Sequence, residues 1–407
     1  MKGQLRKIVV GLALLGLILS ACAPDSATEE TSGGEESGPI KIGISLPLTG
    51  DFTEPGEGVK RGYDLWAKHM NENGGLLGRE VELVIVDDGS DPNKVVSDYE
   101  RLISVENVDL VFGPFSSLLV IPASEVAEKY EMLFVQPAGA APDVFNRGLE
   151  YLFYAAPAVA DDHGRYFNDH ILNLPEGERP KTAAYPELDD PFAQATAEGI
   201  RVALEEGGIE TVFKEVYPPD QSDFAPIASK IADSGAELVV GGTQYEDSVS
   251  LLRSLQELDY QPKAIISSTG PTLNSFGEAM GDAAEGIMAP VGYHSKADFP
   301  TNPEFVEAYE EEYGEAPSED PANAYTVGQI VQQAVEEVGS VEDQDALRDY
   351  IRENEFETIV GPLSFNERGE PQSAHMILQW QNGEIEIVLP ADEGVQTAEM
   401  VFPKPEW

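Results

Sequence analysis

From residue 40 onward, short β-rich runs alternate with amphipathic helical faces, and the alternation repeats through most of the chain. Ile40, Ile42, Ile44 and Leu46 alternate with Lys41, Gly43 and Ser45, which is the period of a strand. Val59, Tyr63, Trp66 and Met70 then fall on one face at helical spacing. The same reading predicts further strands at 81–86, 110–112, 132–135, 182–185, 211–216, 238–240 and 264–266. Between them it predicts helices from Asp91, over 119–130, over 192–204, from a Ser222 cap, and over 248–258. Successive β-α-β units imply an α/β protein of parallel sheets wound by helices, in two lobes. The end of the chain differs: helices at 302–313, 320–338 and 343–352 precede short strands near Ile359, at 376–380 and at 385–388. A terminal segment of this kind returns to a lobe begun earlier.

Ligands on wound parallel sheets sit beyond the carboxyl ends of the strands. The loops of interest are therefore 47–58, 113–118, 136–142, 186–191, 241–247 and 267–272. GPFSS (113–117) and PAGAAP (137–142) combine small side chains, hydroxyls and backbone N–H groups beside helix starts, which suits a carboxylate. YPELDDPF (185–192) adds acids and aromatics from the second half, suited to a ligand with an apolar body and a polar or cationic end. No enzyme constellation stands out. The sequence has neither a G-x-S-x-G elbow nor a phosphate loop, and none of its 5 histidines lies in an H-E-x-x-H arrangement. The seven-residue offset between His163 and His170 puts both on one predicted helix face, near Asp161, Asp162 and Asp169; a solvated acidic face is preferred there over a metal site.

At about 150 residues per domain, 407 residues suggest two or three domains. The 74 acids against 25 Lys and Arg give a formal charge of −49, which argues against nucleic-acid binding. With 42% hydrophobic residues the chain still has ample material for a core. Two explanations of the acidity stand side by side: adaptation to a saline environment that screens self-repulsion, or drift in composition. The 1 cysteine excludes an intramolecular disulfide. It follows a basic segment with Lys2, Arg6 and Lys7, and an apolar run from Ile8 to Leu19 that is shorter than the roughly 20 residues needed to span a bilayer. Leu19-Ser20-Ala21-Cys22 resembles a lipobox, so residues 1–21 are expected to be a signal peptide, Cys22 an acylation site, and 22–39 a flexible acidic tether.

The motifs ISLPLTG (44–50), NENGGLLGREVELVIVDD (71–88), GPFSS (113–117), QPAGAAP (136–142), AEG (284–286) and GPLSF (361–365) occur in order. Together they resemble the leucine/isoleucine/valine-type solute-binding proteins of ABC importers, over Ile40 to about Gly383. The resemblance implies a type I periplasmic-binding-protein fold, two doubly wound parallel-sheet lobes joined by a three-crossing hinge. Projected here, lobe 1 is 40–157 and 291–371, and lobe 2 is 158–290 and 372–407. The resemblance further implies an extracytoplasmic, lipid-anchored monomer without enzymatic activity or cofactor, which captures a small carboxylate-bearing solute and whose partners are that small-molecule ligand and the permease and ATPase subunits; the alternative is a sensory module that reports its ligand to a membrane receptor. Family positions for a ligand carboxylate fall on Ser117 and on Ala138, Gly139 and Ala140. In lobe 2 a ring falls on Phe192 and a tyrosine on Thr243 or Tyr245, with Tyr325 a further wall. The family's acid for an α-amino group falls on Thr269, in a loop without acids, which leaves Asp189 or Asp190 as replacements. That gap favours an organic acid over a branched-chain amino acid.

Overall fold

The computed structural model describes residues 38–391 and 395–407. The expected signal peptide, the expected acylation site Cys22 and the expected tether as far as residue 37 lie outside the described residues. The first lobe is built on five parallel strands: β1 (Ile40–Leu46), β2 (Val81–Asp87), β3 (Leu110–Phe112), β4 (Phe134–Gln136) and β5 (Leu152–Tyr154). Their spatial order is β2-β1-β3-β4-β5, with α1 (Thr53–Glu72), α2 (Pro92–Ser104), α3 (Ser117–Lys129) and the single turn α4 (Pro142–Phe145) between them. Pro92 opens α2, and the Asp91 side chain accepts the Asn93 N–H at 2.8 Å, so that helix starts where its cap dictates.

The second lobe holds β6 (Thr182–Leu188), β7 (Glu210–Tyr217), β8 (Leu238–Gly241), β9 (Ala264–Ser267), β10 (Ile287–Val291), β11 (Met376–Gln381) and β12 (Glu384–Leu389). These pair in the order β12-β11-β10-β9-β8-β6-β7. The helices α5 (Arg165–Asn173), α6 (Pro191–Glu206), α7 (Ala225–Ser234), α8 (Tyr245–Glu257) and α9 (Asn274–Met280) cover both faces. The alternation within single strands shows it: Ile265 and Ile287 join one core, while Ala264, Ile266 and Met288 join the other. Only β11 and β12 run antiparallel to their neighbours, joined at Asn382-Gly383 with φ of 55° and 80°, the residue pair a tight hairpin favours.

Three helices follow β10: α10 (Asn302–Tyr313), α11 (Glu319–Val338) and α12 (Gln344–Glu353). They return to the first lobe, where Phe305, Ile330 and Leu347 enter its core. The chain thus crosses between lobes three times, after β5, after β10 and before β11. Helix α11 lies close on α1 because glycines stand at the contact: a Cβ on Gly328 would meet the Trp66 ring at 2.3 Å.

Local expectations fail in a few places. No strand forms at Ile359, which lies in a turn; the nearby pairing is the isolated bridge between Phe356 and Leu363. Ser222 does not cap α7, which begins three residues later with the Asp223 carboxylate accepting the Ala225 N–H at 3.1 Å. The strand expected at 132–135 is shifted to Phe134–Gln136.

Candidate functional site

In each sheet the strand order reverses beside the strand that begins the lobe, between β1 and β3 and between β6 and β8. These are the switch points at which open α/β sheets bind ligands. The loops beyond them enclose a cavity of about 50 Å³ between the lobes. From the first lobe Phe115, Ser116, Pro137, Ala138 and Tyr154 border it; from the second, His163, Phe192, Gln244, Ser268 and Thr269; and from α11, Glu319, Asp320 and Asn323. A cavity of that size holds a few waters, well short of the 300 Å³ or more of an open ligand site.

Ser116, at the mouth of α3, is held at φ 70° and ψ 150°, a strained conformation for a residue with a Cβ. Its hydroxyl is buried without a hydrogen-bond partner. Ser117, the hydroxyl expected in the cleft, is instead fully buried and does not border the cavity: its Oγ accepts the Ala141 N–H at 3.0 Å. The small-residue loop is likewise committed to itself. Gln136 Oε1 accepts the N–H of Ala138 at 2.8 Å and that of Gly139, while its Nε2 donates to the Gly139 carbonyl at 2.9 Å. Ala140 is fully buried, and its carbonyl accepts the Ala160 N–H at 2.8 Å. Of Ala138, Gly139 and Ala140, only Ala138 reaches the cavity wall, and its amide is already used.

On the opposite wall Phe192 stands at the start of α6 as expected, edge-on to the His163 ring at 5.7 Å. Thr269 borders the cavity, and its carbonyl accepts the Thr243 hydroxyl at 3.2 Å. Neither Thr243 nor Tyr245 lines it; the intervening Gln244 does. Tyr245 opens α8 and packs against the second-lobe core. Tyr325 also lies away from the cavity, its hydroxyl 2.9 Å from His69 Nδ1 and its ring 4.8 Å from Phe305; burial pushes that phenol up to about 12. Asp190 caps α6, accepting the N–H groups of Phe192 and Ala193 at 3.0 and 2.9 Å, and does not border the main cavity.

Glu319 and Asp320 are the site residues that sequence reasoning missed. Acids at the start of a helix read as ordinary complements to its dipole, and nothing local distinguishes these two. Glu319 Oε1 accepts the Gly292 N–H at 2.6 Å and lies 3.3 Å from His375 Nε2. Burial raises the pKa of both acids, and for Asp320 the charge of Glu319 adds to the rise. His375 stacks on His163 at 3.8 Å with 20° between the planes; burial holds each imidazole down to about 3, so both are neutral near pH 7. His163 precedes α5 whereas His170 lies within it, so the two do not share a helix face. No group of three or more His, Cys, Asp or Glu side chains among the described residues is arranged to hold a metal. The described residues bordering the cavity include no Lys or Arg. Such a site can hold a solute through rings, amides and carboxylates.

The sheets, the three crossings and the interlobe cavity define a two-lobed α/β binding protein. The periplasmic binding protein family model matches residues 39–384, and the chain belongs to that family. A Leu/Ile/Val-binding protein homolog 7 from Brucella suis is 27% identical over 402 residues, covering 95% of this chain and 97% of the relative. Homolog 1 from Brucella abortus is 26% identical over 359 residues, covering 86% and 93%. Among solved structures, a leucine-binding protein from Thermotoga maritima superposes with a TM-score of 0.76 at 22% identity, covering 86% of this chain and 97% of that one. A solute-binding protein of an ABC transporter from R. palustris, in complex with benzoate, gives 0.77 at 19% identity, covering 91% and 98%. Family membership makes this a periplasmic-type binding protein and implies an extracytoplasmic place of work. No helix among the described residues is long and apolar enough to cross a membrane.

Proposed function

We propose that the protein is a lipid-anchored monomer that captures a small amino acid between its lobes and delivers it to the permease and ATPase subunits of an ABC importer. The observation that carries this reading is that the cavity wall offers partners for both ends of an amino acid. The unpaired Ser116 hydroxyl lies at the N-terminus of α3, a setting that favours a carboxylate. The same wall carries Glu319 and Asp320 at the start of α11, which favour an ammonium group. Burying an unpaired ammonium is costly, and these acids remove the objection raised by the acid-free loop at Thr269. The names of the Brucella relatives support an amino acid. The benzoate complex of the R. palustris protein keeps an organic acid as the second reading. Closure around the solute is the signal a permease would read.

Titration calorimetry with leucine and its deaminated analogue, 4-methylpentanoate, tests the assignment. Leucine is expected to bind at least tenfold more tightly, and Glu319→Gln combined with Asp320→Asn is expected to remove that preference. Equal or tighter binding of the acid would overturn it in favour of the second reading. For the anchor, Cys22→Ala is expected to abolish detergent-dependent partition with membranes; unchanged partition refutes acylation at that position.

A further inference from the structure

A second cavity, of about 170 Å³, lies on the far side of Gln244, whose side chain borders both spaces. Its walls are the rings of Phe52, Tyr217 and Phe224, the last two in edge contact at 5.2 Å. Two carboxylates, the buried Asp190 and the half-buried Asp247, also border it. Asp247 is fully used: Oδ1 accepts the Gln244 N–H at 2.9 Å and Oδ2 accepts the Tyr217 hydroxyl at 2.5 Å. Asp190 is not. Its Oδ1 accepts two helix N–H groups and Gln244 Nε2 at 3.3 Å, but its Oδ2 has no partner although the residue is only 3% exposed. A buried carboxylate oxygen without a donor is expensive, and an arriving N–H group would relieve that cost. Asp51, Asp189 and Glu246 add negative charge around the cavity, and no Lys or Arg is among the described residues that border it.

We propose that this side cavity is a second binding site, taking the primary ammonium end of a small organic amine against the Asp190 carboxylate and the rings of Phe52, Tyr217 and Phe224. The unpartnered oxygen calls for an N–H donor, the rings favour a cation over their faces, and the apolar parts of the wall accommodate a short alkyl body. The donor set is wrong for a divalent metal, which takes several oxygens at once, whereas here one oxygen is free. The proposal takes no premise from what occupies the main cavity, so it stands or falls separately from the amino-acid reading.

The test is titration calorimetry of the full chain with n-butylammonium, tetramethylammonium and calcium chlorides, all at one ionic strength so that the −49 charge contributes equally. Butylammonium is expected to bind at least tenfold more tightly than tetramethylammonium. Asp190→Asn keeps an acceptor for the α6 cap, since Asn and Asp cap equally well, and is expected to weaken butylammonium at least tenfold. Ser250→Lys, on the cavity wall but outside the cap, brings its own ammonium to the cavity and is expected to abolish binding even if the first variant folds poorly. Leucine titrations should be unchanged in the Ser250→Lys chain. No butylammonium heat, equal binding of tetramethylammonium, displacement by calcium, or undiminished binding in the folded variants would each overturn the proposal.

Discussion

Gly62→Ala probes the contact that carries two cavity acids into place. Gly62 lies on α1, and a Cβ there would stand 2.1 Å from the Pro321 carbonyl oxygen and 2.8 Å from the Ala324 Cβ on α11. Ordinary carbon contacts lie near 3.5–4 Å, so α11 would have to retreat by about 1 Å. Overpacking of this kind costs about 1–3 kcal/mol, against a gain of about 1 kcal/mol from replacing glycine by alanine inside a helix. Gly58→Ala supplies the control: it lies on the same helix and shares the propensity gain, but its Cβ would meet nothing closer than the Asp320 Cβ at 3.3 Å. The two variants should therefore differ by about 1–3 kcal/mol in urea unfolding, read as a shift of midpoint at constant slope. Because Glu319 and Asp320 begin the displaced helix, Gly62→Ala should also weaken solute binding. A Gly62→Ala chain as stable as Gly58→Ala would refute the account of the helix contact.

The adjacent serines should separate cleanly: Ser117→Ala strands the Ala141 N–H and costs about 1–3 kcal/mol in denaturant unfolding, whereas Ser116→Ala lowers solute affinity with little loss of stability. His163 and His375 are held at about 3 when folded against 6.5 when free, so their contribution is fully present above pH 6.5 and is lost as pH falls towards 3. The slope is about 1.4 kcal/mol per pH unit for each imidazole. Asp88, raised to about 6, and Asp247, raised to about 7, take up protons on folding in part of that window and oppose the loss; comparison of unfolding curves with the His163→Phe, His375→Phe double variant isolates the histidine share. Melting temperature should rise between dilute buffer and 1 M salt as the acidic surface is screened, and a flat profile would show that self-repulsion is not limiting.

The wound sheets were legible because the alternation of Ile40, Ile42 and Ile44 and the helical spacing of Val59, Tyr63 and Trp66 report burial directly. Phe192 was legible for a related reason: it follows a proline that opens a helix beyond a strand end, and chain direction alone brings it to the switch point. Register within a loop was not. Ser116 and Ser117 are chemically identical, and only the positive φ of the first decides which hydroxyl faces the cavity. Gln136 carries no pattern showing that its carboxamide consumes the amides of Ala138 and Gly139. Tyr325 and Tyr245 are rings on amphipathic helices, where core packing and ligand contact leave the same spacing. Glu319 and Asp320 reach the cavity through the packing of α11 on α1, a contact between segments far apart in sequence.

The antiparallel return of β11 has a bearing on the order in which the molecule can be assembled. Until Met376–Gln381 emerges, β10 has β9 on one side and an open row of backbone donors and acceptors on the other. Trp380 arrives with the same strand, stacking against Gly277 and donating its indole N–H to the Pro271 carbonyl at 2.8 Å. The first sheet has no such dependence, since its five strands are complete by Tyr154. A chain cut short before residue 376 would thus carry one finished sheet and one with an adhesive edge, prone to pairing with its own copies.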